Sequence, residues 1–362
     1  MTREQFIKFK ADLLCFGAAL SDKAREMLIL EHPHFFDKGF IDAVNMNVLG
    51  SNICVSIAEA FSENSKYVLD FSDGAYFIEA FNEKAPVRFF PQLPKTNTII
   101  DEIAVLHADG CINIWPSTNC CYDKPDIKCK FCSLLPKTKA PIPVEVLCDG
   151  LKKLMAQVPD YTLNFSGATY KSPDIMVDYW CSLAKGIREF SNCPIAVEFA
   201  PPSDLSLLEK LKESGVTVAI MNIEIVAEEL RKKICPGKSA ITLEHYHKAL
   251  KKAVEVFGRG QVSSVMIGGI QPFEDIKKEC EYLTSIGVFP TIMPFRPLDD
   301  CTFFDVTSCN PDLLIEISEY LGALLRKEHL APECQEGCTK CGGCSIENDC
   351  YLEGKTEIRY IV

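Results

Sequence analysis

Apolar residues follow helical spacing over residues 3–18 and 22–30, and strand spacing over 67–71 and 75–81. Ser72-Asp73-Gly74, between the last two, predicts a hairpin turn. From residue 111 the pattern changes. Short apolar runs at 111–115, 163–166, 195–199, 216–223, 262–267 and 288–293 read as strands, and amphipathic segments at 144–158, 174–190, 205–214, 243–257 and 273–286 read as helices between them. Repeated strand–helix units imply parallel strands, because each crossover returns the chain to the same end of the sheet. A last helix over 312–327 has Asn310 as its cap and Pro311 in its first turn. The expected architecture is α/β: a partial (β/α)6 TIM-like barrel over 106–330, an N-terminal α+β region over 1–105, and a cysteine-rich, metal-binding C-terminal segment over 331–362. Ligands of such sheets gather at the carboxyl ends of the strands, so the loops after these runs are where chemistry is expected.

Composition narrows the partners. A chain of 362 residues with 47% apolar content supports a large buried core, and a formal net charge of -12 disfavours nucleic acid, whose phosphates need a basic surface. A small-molecule substrate is expected instead. No apolar run is long enough to span a bilayer and the first residues are charged, so a cytoplasmic protein with no membrane association is expected.

Nineteen cysteines in a chain of this size suggest metal ligation more than disulfides. Ten of them, Cys54 included, are scattered and read as small buried hydrophobes. The other nine form two groups. The first is Cys120, Cys121, Cys129 and Cys132, in the loop after the first barrel run. Three thiolates there can hold three irons of a four-iron cluster and leave the fourth open, whereas a zinc site would need a fourth Cys or His nearby. The second group is Cys334, Cys338, Cys341, Cys344 and Cys350, whose density fits zinc or a second iron–sulfur cluster about equally well.

The Thr118-Asn119-Cys120-Cys121 segment, followed by Cys129-Lys130-Phe131-Cys132, resembles the cluster loop of the radical S-adenosylmethionine (radical SAM) superfamily, and the resemblance runs from about residue 111 to the end. It implies a 4Fe-4S cluster held by Cys121, Cys129 and Cys132, with Cys121 chosen over Cys120 by the family's Thr-Asn-x-Cys pattern. It also implies SAM on the open iron. Phe165-Ser166-Gly167-Ala168-Thr169 stands where the family has a Gly-Gly-Glu-like element, Asn222-Ile223-Glu224 where fourth-strand polar residues meet SAM, and Ile267-Gly268-Gly269-Ile270 where a glycine-rich stretch lies near adenine. Ser166, Gly167, Thr169, Asn222, Glu224, Gly268 and Gly269 are the SAM-contact residues so implied. Two departures stand out: seven residues separate Cys121 from Cys129 where three are usual, and Ala168-Thr169 replaces the motif's glutamate. Longer gaps occur in members similar to the biotin synthase, thiamine-pathway and hydrogenase cofactor maturation enzymes.

Each residue also has a plainer reading. Ser166, Gly167 and Thr169 can simply end a strand and Gly268 and Gly269 can serve close packing; Arg231 can pair with Glu224 or hold a carboxylate of SAM or substrate, or lie on the surface of a charged helix, and Arg296 can bind a substrate anion or form a salt bridge. Lys124, Lys128, Lys130, Lys137 and Lys139 read as a solvated face or a dock for ferredoxin or flavodoxin. The expected activity is hydrogen abstraction from a small metabolite or cofactor precursor. The alternatives are a radical SAM methyltransferase and a non-catalytic iron–sulfur or zinc carrier.

Overall fold

Side-chain oxygens start several of the helices where the chain leaves extended structure. The computed structural model describes residues 1–36, 43–63, 65–134, 138–297, 301, 307–332, 336–337 and 341–352. Thr2 forms a capping box with Gln5 at the start of α1 (Arg3–Phe16), and Ser21 caps α2 (Asp22–Glu31) through the Ala24 N–H. α1 carries the apolar face of the N-terminal region, with Phe6, Phe9, Leu13 and Leu14 buried.

The first sheet contains β1 (Ala19–Leu20), β2 (Ala43–Val48), β3 (Ser51–Ser56), β4 (Val68–Ser72), β5 (Ala75–Ala80) and β6 (Glu83–Phe89), in the order β1-β4-β5-β6-β2-β3. The expected hairpin is β4–β5, closed by Asp73 and Gly74, both at positive φ as a two-residue turn of this kind requires. Its partners β1, β2, β3 and β6 are strands that the periodicity did not single out.

A short helix α3 (Glu59–Ser62) and another, α4 (Ile100–Ile103), precede the second sheet. That sheet orders its strands β13-β12-β11-β10-β9-β8-β7. β8 (Cys111–Ser117), β9 (Thr162–Gly167), β10 (Ile195–Glu198), β11 (Val218–Ile220), β12 (Val262–Gly268) and β13 (Phe289–Pro294) pair in parallel, and β7 (Ala104–Ala108) adds an antiparallel edge. The connecting helices are α5 (Val144–Met155), α6 (Pro173–Arg188), α7 (Leu207–Glu213), α8 (Glu228–Ile234), α9 (Leu243–Phe257) and α10 (Phe273–Ile286). Six parallel strands in sequence order, each followed by a crossover, form a partial (β/α)6 barrel.

β11 is shorter than the apolar run 216–223. The Asn222 side chain accepts the Val265 N–H at 3.0 Å and Ser264 Oγ accepts the Ile223 N–H at 3.1 Å, so side chains replace the ladder and release the chain toward the barrel mouth. α11 (Pro311–Lys327) starts at Asn310, whose Oδ1 accepts the Asp312 N–H at 2.8 Å. The chain then folds back over the N-terminal region as α12 (Glu347–Tyr351). The fully buried Lys10 ammonium anchors this return, donating to Asp349 Oδ2 at 2.7 Å and to the Gly342 carbonyl at 2.9 Å. Among the described residues no helix is long and apolar enough to cross a membrane.

Candidate active site at the barrel mouth

The carboxyl ends of β8–β11 and the cysteine loop after β8 enclose a cavity of about 280 Å³. Trp115, Ser166, Glu198 and Asn222 come from or just after these strands, and Cys120, Cys129, Phe131 and Cys132 come from the loop. Close approach between strand ends shapes the floor. A Cβ on Gly167 would lie 2.5 Å from the Ser117 carbonyl oxygen, so only glycine fits there. The loop is pinned at several points. Thr118 and Thr138 exchange backbone-to-hydroxyl bonds of 3.0 and 2.9 Å, the Lys130 N–H donates to the Ile234 carbonyl at 2.8 Å, and the Gly237 N–H donates to Ile127 at 3.1 Å.

Two neighbouring cysteines of the loop differ in what they contact. The Cys121 N–H donates to the Thr169 carbonyl at 2.8 Å, and the cavity is lined by Cys120, Cys129 and Cys132. Sequence reasoning by the Thr-Asn-x-Cys pattern had favoured Cys121. The Cys121 thiol donates to Cys120 and pulls it below the ordinary thiol range. Its neighbour is pushed up correspondingly. A hydrogen bond with Cys235 and then burial push Cys129 up, and burial lifts Cys132 to about 11. These two thiols are ones that a bound metal would deprotonate.

Polar groups on the opposite wall form one network. Lys238 Nζ donates to Glu224 Oε1 at 2.7 Å and to the Asn222 carbonyl at 3.3 Å, and Asn222 Nδ2 donates to Glu198 Oε1 at 2.6 Å. Burial works against the Lys238 charge, yet the Glu224 carboxylate holds its pKa well above the ordinary lysine range. Burial raises Glu198, with Lys238 opposing. Glu224 has φ +67, a left-handed conformation rare outside glycine, and its main chain is fixed by the Val265 carbonyl at 2.8 Å and by Gln271 Nε2 at 2.7 Å. Its Oε2 is buried with no hydrogen-bond partner. A group presenting an amine or hydroxyl donor would satisfy that oxygen, and three thiols across the cavity suit an iron–sulfur cluster, so the residues present fit both cofactors.

Of the residues singled out from sequence, the structure brings Ser166, Gly167, Thr169, Asn222, Glu224, Cys129 and Cys132 to this cavity. Gly268 and Gly269 are not in its wall. A Cβ on Gly269 would sit 2.8 Å from Cys309 Cβ, and one on Gly268 would sit 3.3 Å from Ile292, which is the close-packing role. Arg231 is buried and caps the carbonyls of Ile223 and Ile225 while lying over the Tyr246 ring. Arg296 donates to the Cys54 carbonyl at 3.2 Å, away from this cavity. Sequence reasoning missed Glu198, a polar residue that looks like an ordinary strand end. It also missed Lys238, whose signal was its place in Ile234-Cys235-Pro236-Gly237-Lys238.

Three of the five C-terminal cysteines lie within the described residues. Cys334 and Cys338 lie outside the described residues. Cys350 is buried in the main core, its main chain held by Arg326 at 2.8 Å. Cys341 and Cys344 lie against Cys54 and His107.

No protein-family model matches the chain. It is 31% identical over 156 residues, 41% of its length, to the bacteriochlorophyllide c C-7(1)-hydroxylase of Chlorobaculum limnaeum, and the match spans 39% of that relative. Among solved structures it resembles the [FeFe]-hydrogenase maturase HydG at TM-score 0.47 and 15% identity, over 60% of this chain and 49% of that one. It resembles methylornithine synthase PylB at TM-score 0.47 and 16% identity, over 66% of this chain and 68% of that one. The match spans about two fifths of the length of that hydroxylase, and the chain carries its cysteine loop at the mouth of a partial parallel barrel.

Proposed function

We propose that the cavity at the barrel mouth abstracts hydrogen from a small metabolite or cofactor precursor. The carrying observation is the convergence of Cys120, Cys129 and Cys132 on one side with the unpartnered Glu224 Oε2 on the other. When bound, the reduced cluster and SAM supply a 5'-deoxyadenosyl radical that takes a hydrogen atom from the substrate. Cys120, Cys129 and Cys132 would hold the cluster, with Cys120 the thiol its neighbour makes easier to ionise. Glu224 and Asn222 bind the polar end of SAM, with Lys238 fixing the Glu224 rotamer and Glu198 fixing Asn222. Trp115, Phe131 and Phe199 exclude water from the reacting face. Similarity to an enzyme named for hydroxylating bacteriochlorophyllide c favours a cofactor-related substrate. A flavodoxin or ferredoxin delivers the electron to the cluster loop, and the protein works in the cytoplasm.

Anaerobic reconstitution with iron and sulfide tests this. The expected result is a cluster whose electron paramagnetic resonance signal changes on adding SAM, and 5'-deoxyadenosine after reduction with dithionite. Absence of both sinks the reading, and S-adenosylhomocysteine in place of 5'-deoxyadenosine would assign methyl transfer.

A further inference from the structure

Cys54 on β3, His107 on β7 and Cys344 after the 341–344 turn bring two thiols and an imidazole nitrogen within 4.8 Å of one another. Cys341 Sγ stands 3.4 Å from His107 Nδ1. The group is built into the fold. The Cys54 N–H donates to the Gly343 carbonyl at 2.7 Å and Asn52 Nδ2 donates to the Cys341 carbonyl at 3.2 Å, so the Cys341-Gly342-Gly343-Cys344 turn is bonded along β3. A Cβ on Gly343 would lie 3.2 Å from Cys341 Sγ, and Gly342 takes φ +60, so the two glycines let the turn fold tightly around its sulfurs. Cys54 is 2% exposed and His107 5%.

A buried cluster of thiols and imidazole is costly unless its charges are compensated. A tetrahedral ion with bonds of about 2.0–2.3 Å holds its ligand atoms less than about 4 Å apart, so it would draw in the Cys54, His107 and Cys344 atoms, which lie within 4.8 Å of one another, and take Cys341 Sγ, 3.4 Å from His107 Nδ1, at its fourth corner. The Cys-x2-Cys spacing of Cys341 and Cys344 is that of a zinc knuckle. Arg296, bonded to the Cys54 carbonyl at 3.2 Å, would offset the net negative charge of three thiolates around a divalent ion. We propose that Cys54, His107, Cys341 and Cys344 bind one zinc ion in a closed, tetrahedral, structural site that joins the N-terminal sheet, the barrel edge and the C-terminal segment. Two of these ligands lie outside the C-terminal cysteine group, and Cys350 is not one of them. With four protein ligands the ion has no open position toward the cavity of about 450 Å³ that Cys54 and His107 also border, so it holds structure and does no chemistry.

The test is zinc, iron and sulfide content of the full chain purified without oxygen, together with zinc-edge X-ray absorption of the unaltered protein. The expected result is one zinc per chain with one nitrogen neighbour at about 2.0–2.1 Å and three sulfurs at about 2.3 Å. His107→Ala and Cys344→Ser should each lower zinc content at least tenfold and leave the iron of the barrel cluster equal to wild type, whereas Cys350→Ser keeps both metals. The proposal is overturned if the wild-type chain holds no zinc or its absorption shows two sulfurs or fewer. It is also overturned if the two variants lose iron and sulfide instead, which would make the site a second cluster. The absorption spectrum decides even if the variants misfold, since it needs no substitution.

Discussion

Lys238 Nζ lies 2.7 Å from Glu224 Oε1 and leaves Oε2 of the same carboxylate buried with no hydrogen-bond partner. The side chains are 13% and 15% exposed, so the pair is held in the cavity wall with little solvent screening. Glu224→Gln should weaken SAM binding at least about tenfold, roughly 1.4 kcal/mol, with the fold intact, because one half of the acceptor pair becomes a donor. Lys238→Met leaves a carboxylate without its cation and should lower stability by roughly 3 kcal/mol. Anaerobic equilibrium dialysis with SAM and urea denaturation measure the two effects. Unchanged affinity in Glu224→Gln would remove Glu224 from the SAM site.

Cys120 lines the cavity and its neighbour Cys121, whose N–H is held by the Thr169 carbonyl at 2.8 Å, is not in the cavity wall. Cys120→Ala should lose most of the cluster iron and the 5'-deoxyadenosine, while Cys121→Ala keeps both. Iron and sulfide content after reconstitution decides between them. The reverse outcome would restore the first position to Cys121.

The barrel and its cysteine loop could be read from the chain because their signals are local. Strand and helix periodicities repeat within a dozen residues, and Cys129 and Cys132 are three positions apart. What stayed hidden depends on contacts between distant segments. Cys54 looked like an isolated buried thiol because its companions, His107 and Cys344, are 53 and 290 positions away. Glu198 ends a four-residue strand and shows its role only through Asn222, just beyond the end of the next strand. The packing demand on Gly269 was not legible because Cys309, which its Cβ would meet, arrives some forty positions later. A short strand, β11, was overestimated because apolar residues continue beyond the point where Asn222 takes over the ladder.

Gly269 separates packing from binding. It sits at φ +96 with Cys309 Cβ 2.8 Å from where its own Cβ would be. Gly269→Ala should therefore destabilise the protein by roughly 1–3 kcal/mol through backbone strain and overlap, while SAM affinity stays within about twofold of wild type. Denaturant titration and dialysis measured on the same preparation test this. A large loss of SAM affinity in a variant of unaltered stability would return Gly269 to the binding site.

Glu347 gives the fold a pH dependence of its own. Its Oε1 accepts from Ser345 Oγ at 2.7 Å, its Oε2 is buried with no hydrogen-bond partner, and burial pushes its pKa up to about 7. In the unfolded chain it titrates near 4.5. Between these values the folded state holds a proton that the unfolded state has released, so stability falls as pH rises through that window. The loss is complete just above neutrality and amounts to at most about 3 kcal/mol. Glu347→Gln has no proton to release, so its advantage over wild type should be smallest near pH 4.5, grow through pH 6 and level off above pH 7.5. Urea denaturation of both proteins at these pH values reads the difference directly. A constant difference across the range would mean that the Glu347 carboxyl is ionised in the folded protein and that its neighbours compensate for the burial.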